Sequence, residues 1–161
     1  MKTTKEQADQ KIHEELVDNL QNLLVKNYDA EKGFAKAMND AKEGNLKNFL
    51  KHQAAQRSRF ANELDKEIRN LNEKPKESGS VTGGLHRAWI DIKTAVTGEK
   101  DEAVLEECIR GEKASVEECE ERLQKNNFPP QVSGILNSQL SEIKSTLNKV
   151  KTLEDVADKW N

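Results

Sequence analysis

Glu31 is the first residue in this chain that could do chemistry, because its carboxylate interrupts a row of apolar residues. Val17, Leu24 and Met38 belong to a seven-residue series that Glu31 completes. This spacing follows one face of a helix, which we predict over residues 12–41. A carboxylate in such a face costs several kcal/mol unless it is neutralised, paired with a cation or bound to a metal ion.

Glu112 is a second carboxylate of this kind. It lies between Ile109 and Val116 on the apolar face of a helix that we predict over residues 101–126. No cation is evident at its level, which favours a metal ion or a shared proton as its partner. Glu31 and Glu112 are therefore the main indication of function in the sequence.

The composition fits long amphipathic helices. The chain has 161 residues, of which 34% are charged and only 4% aromatic, and its net charge is -3. We expect a single domain over residues 1–161, with its helical bundle over about 12–157. The even mixture of charges predicts no nucleic-acid partner. Without a long apolar run or an apolar N-terminus, we expect no membrane partner and a cytoplasmic protein.

Four long helices should pack in two pairs. Residues 42–45 form a turn between the first helix and a second over residues 46–71, and Pro129-Pro130 separates the third long helix from the last. The last helix begins near Val132 and should reach toward Trp160. Short turns join antiparallel neighbours, so each pair is predicted to be a hairpin.

A long connection links the two hairpins. Residues 72–84 have the composition of a loop, and residues 85–97 form a short amphipathic helix. Two antiparallel hairpins joined by a crossover that contains a short helix is the topology of a ferritin-like four-helix bundle. The predicted fold class is therefore all-α and ferritin-like. We expect the first and third long helices to run the same way, with residues 85–97 capping or crossing the bundle.

Polar residues from all four helices should meet at one level. Counting outward from the first turn sets Glu31 beside Gln56 and Arg57. Counting from the second turn sets Glu112 level with Thr146, with Glu142 one helical turn away. Gln139 also interrupts the apolar face of the last helix.

Several roles remain open for this layer. Glu31 could pair with Arg57, bind a metal ion or be exposed, and Glu142 could lie on the flank of its helix. Gln56 could be a hydrogen-bonding filler. Di-metal bundles place Glu-x-x-His on two of their helices, but Arg59 follows three residues after Gln56, and Ser145 three after Glu142.

Outside this layer, we expect structural roles. Cys108 and Cys119 are eleven residues apart in one helix, about 16 Å along its axis, too far to form a disulfide with each other. Cys119 is predicted to be a small core residue. His86 lies in the short helix and should serve its capping or packing.

Four segments resemble an uncharacterised bacterial family of ferritin-like four-helix-bundle proteins, over about residues 14–155. They are Glu31-Lys32-Gly33-Phe34, the run from Gln56 to Leu64, the run from Ser78 to Trp89, and Arg110-Gly111-Glu112. The Gly-Leu-His-Arg-x-Trp stretch within the third segment is the most specific part.

The resemblance implies a ferritin-like fold without an established activity. Relatives in the wider ferritin-like group bind two metal ions and handle iron, oxygen or peroxide. It implies that Glu31, Gln56, Glu112 and Glu142 are the candidate ligands of a degenerate di-metal centre, with iron or manganese as the cofactor. It also implies a stress-linked or iron-linked role and self-association into a homo-oligomer. The alternatives are a di-iron or di-manganese oxidoreductase and a non-catalytic structural or interaction module.

Overall fold

Long helices make up most of the computed structural model, which describes residues 1, 3–77 and 100–160. The described helices are α1 (Thr4–Asp40), α2 (Gly44–Asn70), α3 (Lys100–Lys125), α4 (Pro130–Lys149) and α5 (Leu153–Lys159). No strand occurs in these ranges, which confirms the all-α prediction. The predicted helix at 85–97 and His86 lie outside the described residues.

The start of α1 is set by a capping box rather than by the apolar pattern. Thr3 accepts a hydrogen bond from the Glu6 backbone at 3.1 Å, and the Glu6 carboxylate accepts one from the Thr3 backbone at 2.7 Å. These two bonds satisfy amide groups that have no partner within the helix. The helix therefore begins at Thr4, and the prediction that it begins near residue 12 is wrong.

A second capping box divides the predicted last helix in two. α4 ends at Lys149, and Thr152 begins α5 by a reciprocal pair of hydrogen bonds with Asp155. Trp160 then follows α5 and meets the Phe49 ring edge-on, with ring centroids 4.9 Å apart. The prediction of one helix continuing toward Trp160 is wrong because Val150 is extended and Thr152 starts a new helix.

α1 and α2 form the predicted antiparallel hairpin. Residues at matching distances from the turn at 41–43 touch along its length, namely His13 with Glu73, Asn27 with Arg57 and Met38 with Lys47. At the turn itself, Asp101 of α3 accepts hydrogen bonds from the backbone of Lys42 at 2.8 Å and Glu43 at 2.9 Å. The turn of the hairpin is thus hydrogen-bonded to the start of α3.

The other helix directions follow from side-chain contacts. α3 runs opposite to α1, because Asn19 touches Arg122 near the end of α3 while the turn after α1 touches its start. α4 runs opposite to α2, because Glu67 binds Gln131 while Arg59, earlier in α2, binds Glu142, later in α4. α1 and α4 therefore run one way, and α2 and α3 the other.

This arrangement corrects one prediction. The first and third long helices run in opposite directions, because α3 starts at the end of the molecule where α2 also starts. Two helices that start at the same end of the bundle run parallel. None of the helices within the described ranges has the length and apolar content that crossing a membrane requires.

Two apolar clusters fill the interior and are separated by polar residues. One cluster includes Leu20 and Leu24 of α1, and the other includes Phe34 of the same helix. The buried polar residues between them come from three helices, namely Asn27, Gln53, Arg57 and Glu112. The predicted polar level thus exists, although its members differ in part from those predicted.

Candidate functional site

A buried ion pair lies at the centre of the polar layer. Arg57 of α2 donates a hydrogen bond to the Glu112 carboxylate of α3, and each side chain is only 4% exposed. The Arg57 guanidinium also donates to the Asn27 side chain of α1 at 3.3 Å. One cation therefore links three helices in the interior, where charge interactions are strong and weakly screened.

The heptad spacing of two helices places this group inside. Asn27 is seven residues after Leu20 and seven before Phe34, and Arg57 has the same relation to Leu50 and Leu64. Their apolar neighbours are all fully buried, so the intervening side chains are carried into the core with them.

Sequence reasoning identified Arg57 by this interruption but missed Asn27, for which the same signal was present. Asn27 Nδ2 donates to the Leu23 carbonyl at 2.9 Å, leaving its side-chain oxygen to accept from Arg57. The amide is thereby fixed in orientation.

The predicted pairing of Glu31 with Arg57 is wrong. Arg57 binds Glu112 instead, and the α1 residue facing it is Asn27, one helical turn before Glu31. Glu31 itself is half-buried. The expectation that no cation reaches Glu112 is wrong as well, because parallel α2 and α3 bring Arg57 to its level.

Among the remaining candidate ligands, Glu142 does not join Glu112 in the centre. Glu142 accepts a hydrogen bond from Arg59 at 2.6 Å, and its side chain is 39% exposed on the flank of α4. Gln56 is half-buried. Gln139 is in the interior, as predicted, and donates to Glu63 at 2.9 Å.

The polar layer as arranged does not fit a di-metal centre. Its central carboxylate, Glu112, is bound to the Arg57 guanidinium, and Glu142 is bound to Arg59 on the flank of α4. Within the part of the chain that the structure describes, no three His, Cys, Asp or Glu side chains form a group that could hold a metal ion. The assignment of Glu31, Gln56, Glu112 and Glu142 as ligands stays a prediction.

The layer nevertheless retains unused hydrogen-bonding capacity. Glu112 Oε2, Gln53 Oε1 and Gln56 Oε1 are buried and accept no hydrogen bond from the described residues. All three atoms are acceptors, so they suit a proton donor or a cation. Leaving such oxygens unsatisfied is costly in a folded protein.

A cavity of about 100 Å³ lies beside the ion pair and is bordered by all four long helices. Its walls are mainly apolar, formed by Leu23 of α1, Phe60 of α2 and three residues of α4, which are Leu136, Leu140 and Ile143.

Charged residues surround the cavity on the side of α1 and α3. Lys26 forms an ion pair with Glu118, and Arg122 donates to the same carboxylate at 2.9 Å. All three side chains are between 20% and 29% exposed. We call Lys26, Glu118 and Arg122 the charged rim.

Both cysteines lie in the interior, as predicted for Cys119. Both thiols are free and buried. Burial raises the pKa of the Cys108 thiol, and the Glu112 carboxylate raises it further. Burial likewise raises the pKa of Cys119, which lines the cavity. Thiols held in the protonated form are poor nucleophiles.

The comparisons with known proteins agree with the assignment to an uncharacterised family. Among curated proteins, none matches the chain. One protein-family description matches residues 15–125, which include most of α1 and all of α2 and α3, with the buried pair. The chain therefore belongs to the family described as a domain of unknown function, DUF2383.

Proposed function

We propose that this protein is a ferritin-like module in which the Arg57–Glu112 ion pair takes the place of a metal centre, and that it acts as a structural or interaction protein without catalysing a redox reaction. The observation that carries this proposal is the guanidinium buried between three helices. A stress-linked or iron-linked role and self-association are proposed from the resemblance alone.

The physical basis is that Glu112 already has a cation. A carboxylate in the core needs a positive charge, and a metal ion or an arginine can supply it. Arg57 supplies it permanently, because guanidinium does not lose its proton in proteins. A divalent cation brought beside Glu112 would be repelled by Arg57 across a few ångströms of weakly polar interior.

The helix directions support the ferritin-like part of the proposal. In a ferritin-like bundle one long crossover joins two hairpins, so the second and third long helices are parallel. α2 and α3 have that relation, as their shared contacts with the turn at 41–43 indicate. A simple up-and-down bundle with short loops would make them antiparallel.

A di-metal centre is the second candidate, and the buried acceptor oxygens favour it. Glu112 Oε2, Gln53 Oε1 and Gln56 Oε1 could bind a cation if Arg57 moved away. Oxygen ligands of this type suit hard or borderline metal ions such as manganese and iron(II). This candidate therefore requires a rearrangement of the polar layer, whereas the ion-pair module requires none.

Metal content separates the two candidates. The full chain is purified without chelator, incubated with iron(II) or manganese(II), freed of unbound metal and analysed by mass spectrometry. The ion-pair module should retain no stoichiometric metal. Stoichiometric metal that is lost in Glu112→Gln, but kept in the exposed control Glu154→Gln, would show a metal centre and overturn the proposal.

A further inference from the structure

The cavity beside the polar layer has the walls of a binding site for a short apolar group. Leu23, Phe60, Leu136, Leu140 and Ile143 present hydrocarbon to it from three helices. On the fourth side α3 contributes small residues to the lining, namely Gly111, Ala114 and Ser115.

The size of the cavity limits what can enter. An apolar protein cavity of about 150 Å³ accommodates benzene, which corresponds to about six carbon atoms. The present cavity measures about 100 Å³. In proportion, it accepts a tail of about four carbon atoms.

The charged rim indicates the charge of the ligand. Lys26 and Arg122 are both cations, and they share one carboxylate, Glu118, so the charged rim has a net positive charge. The cavity walls also carry one further charge of each sign, Asp29 and Arg57. An ammonium group has three N–H donors, so Lys26 can keep its contact with Glu118 and bind a second anion. Since Lys26 and Glu118 also line the cavity, that anion would lie directly at its edge.

The electrostatic surroundings of Lys26 also favour a bound anion. Burial lowers the pKa of Lys26, and the neighbouring Arg122 lowers it further, while Glu121 opposes them. An incoming carboxylate would offset the unfavourable effect of burial on the ammonium charge. A ligand cation would increase it.

We propose that this cavity binds a small monocarboxylate, with an apolar tail of about four carbons between the helices and its carboxylate on Lys26. The cavity adjoins the Arg57–Glu112 pair, since Arg57 and Asn27 line it, but Lys26, which would bind the carboxylate, is not a member of that pair.

The test measures binding of pentanoate and of pentan-1-ol, its neutral analogue, by amide chemical shifts of the full chain. Pentanoate should bind saturably and more tightly than the alcohol. Lys26→Gln should weaken pentanoate binding by about tenfold, which corresponds to the loss of one charge-assisted hydrogen bond, and should leave binding of the alcohol unchanged. Glu118→Gln removes the competing anion and should therefore strengthen pentanoate binding.

Matched variants control for nonspecific effects. Lys144→Gln removes an exposed lysine that pairs with Glu120 outside the cavity, so it should change neither affinity. Leu140→Phe fills the cavity and should weaken the binding of both probes. Leu147→Phe, at a half-buried position outside the cavity walls, should weaken the binding of neither. Cys119→Met is a second filling variant in case Leu140→Phe does not fold.

Three results would overturn the proposal. The first is that pentanoate shows no saturable binding. The second is equal weakening by Lys26→Gln and Lys144→Gln, which would indicate only a general attraction of anions. The third is unchanged pentanoate binding in a folded filling variant, which would place the probe elsewhere.

Discussion

Two arginines of α2, only two residues apart, form ion pairs in contrasting surroundings. Arg57 binds Glu112, with both side chains 4% exposed, whereas Arg59 binds Glu142, with side chains 49% and 39% exposed. Both guanidinium groups also lie near the ring of Phe60, at 5.9 Å and 5.0 Å from its centroid. The residue types and the helix are the same, so the difference is one of position.

Helix geometry explains this difference. Two residues along a helix correspond to a rotation of about 200°, which turns one side chain inward and the other outward. Arg57 therefore reaches the interior between α1 and α3, and Arg59 reaches the flank of α4. The contribution of an ion pair here is therefore set by burial, since water screens only the outer pair, Arg59–Glu142.

The largest effect is expected for Arg57→Ala. This change leaves Glu112 in the interior without its cation and should lower the free energy of unfolding by about 3 to 5 kcal/mol. Urea denaturation followed by circular dichroism measures it. A loss no greater than that of Arg59→Ala would contradict the view that burial separates the two pairs.

Replacing both members of the inner pair should be less harmful than removing one. In Arg57→Met combined with Glu112→Leu neither charge of the pair is left stranded in the interior, but Asn27 loses the hydrogen bond from Arg57. The double variant should therefore be about 1 to 2 kcal/mol less stable than the wild type, measured by the same denaturation. If it were as unstable as Arg57→Ala, packing rather than the stranded charge would explain the single variant.

Arg59→Ala should have a small effect. The outer pair is partly solvated, so its loss should lower the free energy of unfolding by no more than about 1 kcal/mol. Repeating the denaturation in about 1 M salt should reduce that difference further, while the difference for Arg57→Ala should persist. A salt-independent loss at Arg59 would mean that its contact with Phe60, rather than its charge, is what stabilises the fold.

The smallest effect concerns Asp155, an exposed carboxylate held by backbone donors. The Lys151 amide, and then the Thr152 backbone and side chain, hold the pKa of Asp155 below its ordinary value. A lowered pKa contributes stability above the unfolded value, about 3.9, that is lost as pH falls through the folded value. Asp155→Asn should thus lower the unfolding midpoint at about pH 5 more than at about pH 2.

Arg59→Ala, which removes the exposed Arg59–Glu142 pair, provides a comparison for the Asp155→Asn measurement. The difference between wild type and Asp155→Asn should resist salt better than that of Arg59→Ala, because backbone amides rather than a cation hold Asp155. If the difference in unfolding midpoint between wild type and Asp155→Asn stayed constant over the whole pH range, the fold would not favour the ionised form of the Asp155 carboxylate.

Local sequence signals could predict much of the helical fold. The apolar rows place Leu20 and Leu24 of α1 and Leu64 of α2 in the core, where all three are buried. The turn between α1 and α2 was also evident, since a glycine follows a polar stretch there. The late start predicted for α1 shows a limit of the apolar pattern, because its first residues are exposed and are held by the capping box at Thr3.

The members of the polar layer were only partly predictable. Arg57 and Glu112 each interrupt an apolar row, which marks them as interior residues. Their pairing with each other was not predictable, because it joins helices that are not neighbours in sequence. A shift of one helical turn along α1 was enough to replace Glu31 by Asn27 opposite Arg57.

By itself, therefore, the sequence determined which residues form helices and which of their faces are buried, because the 3.6-residue repeat and the capping residues act over a few neighbouring positions. The pairing of Arg57 with Glu112 and of Arg59 with Glu142, and the cavity lined in part by small residues of α3, follow only from the tertiary structure. Those outcomes depend on helix direction, axial register and rotation, which arise only when all four long helices pack together.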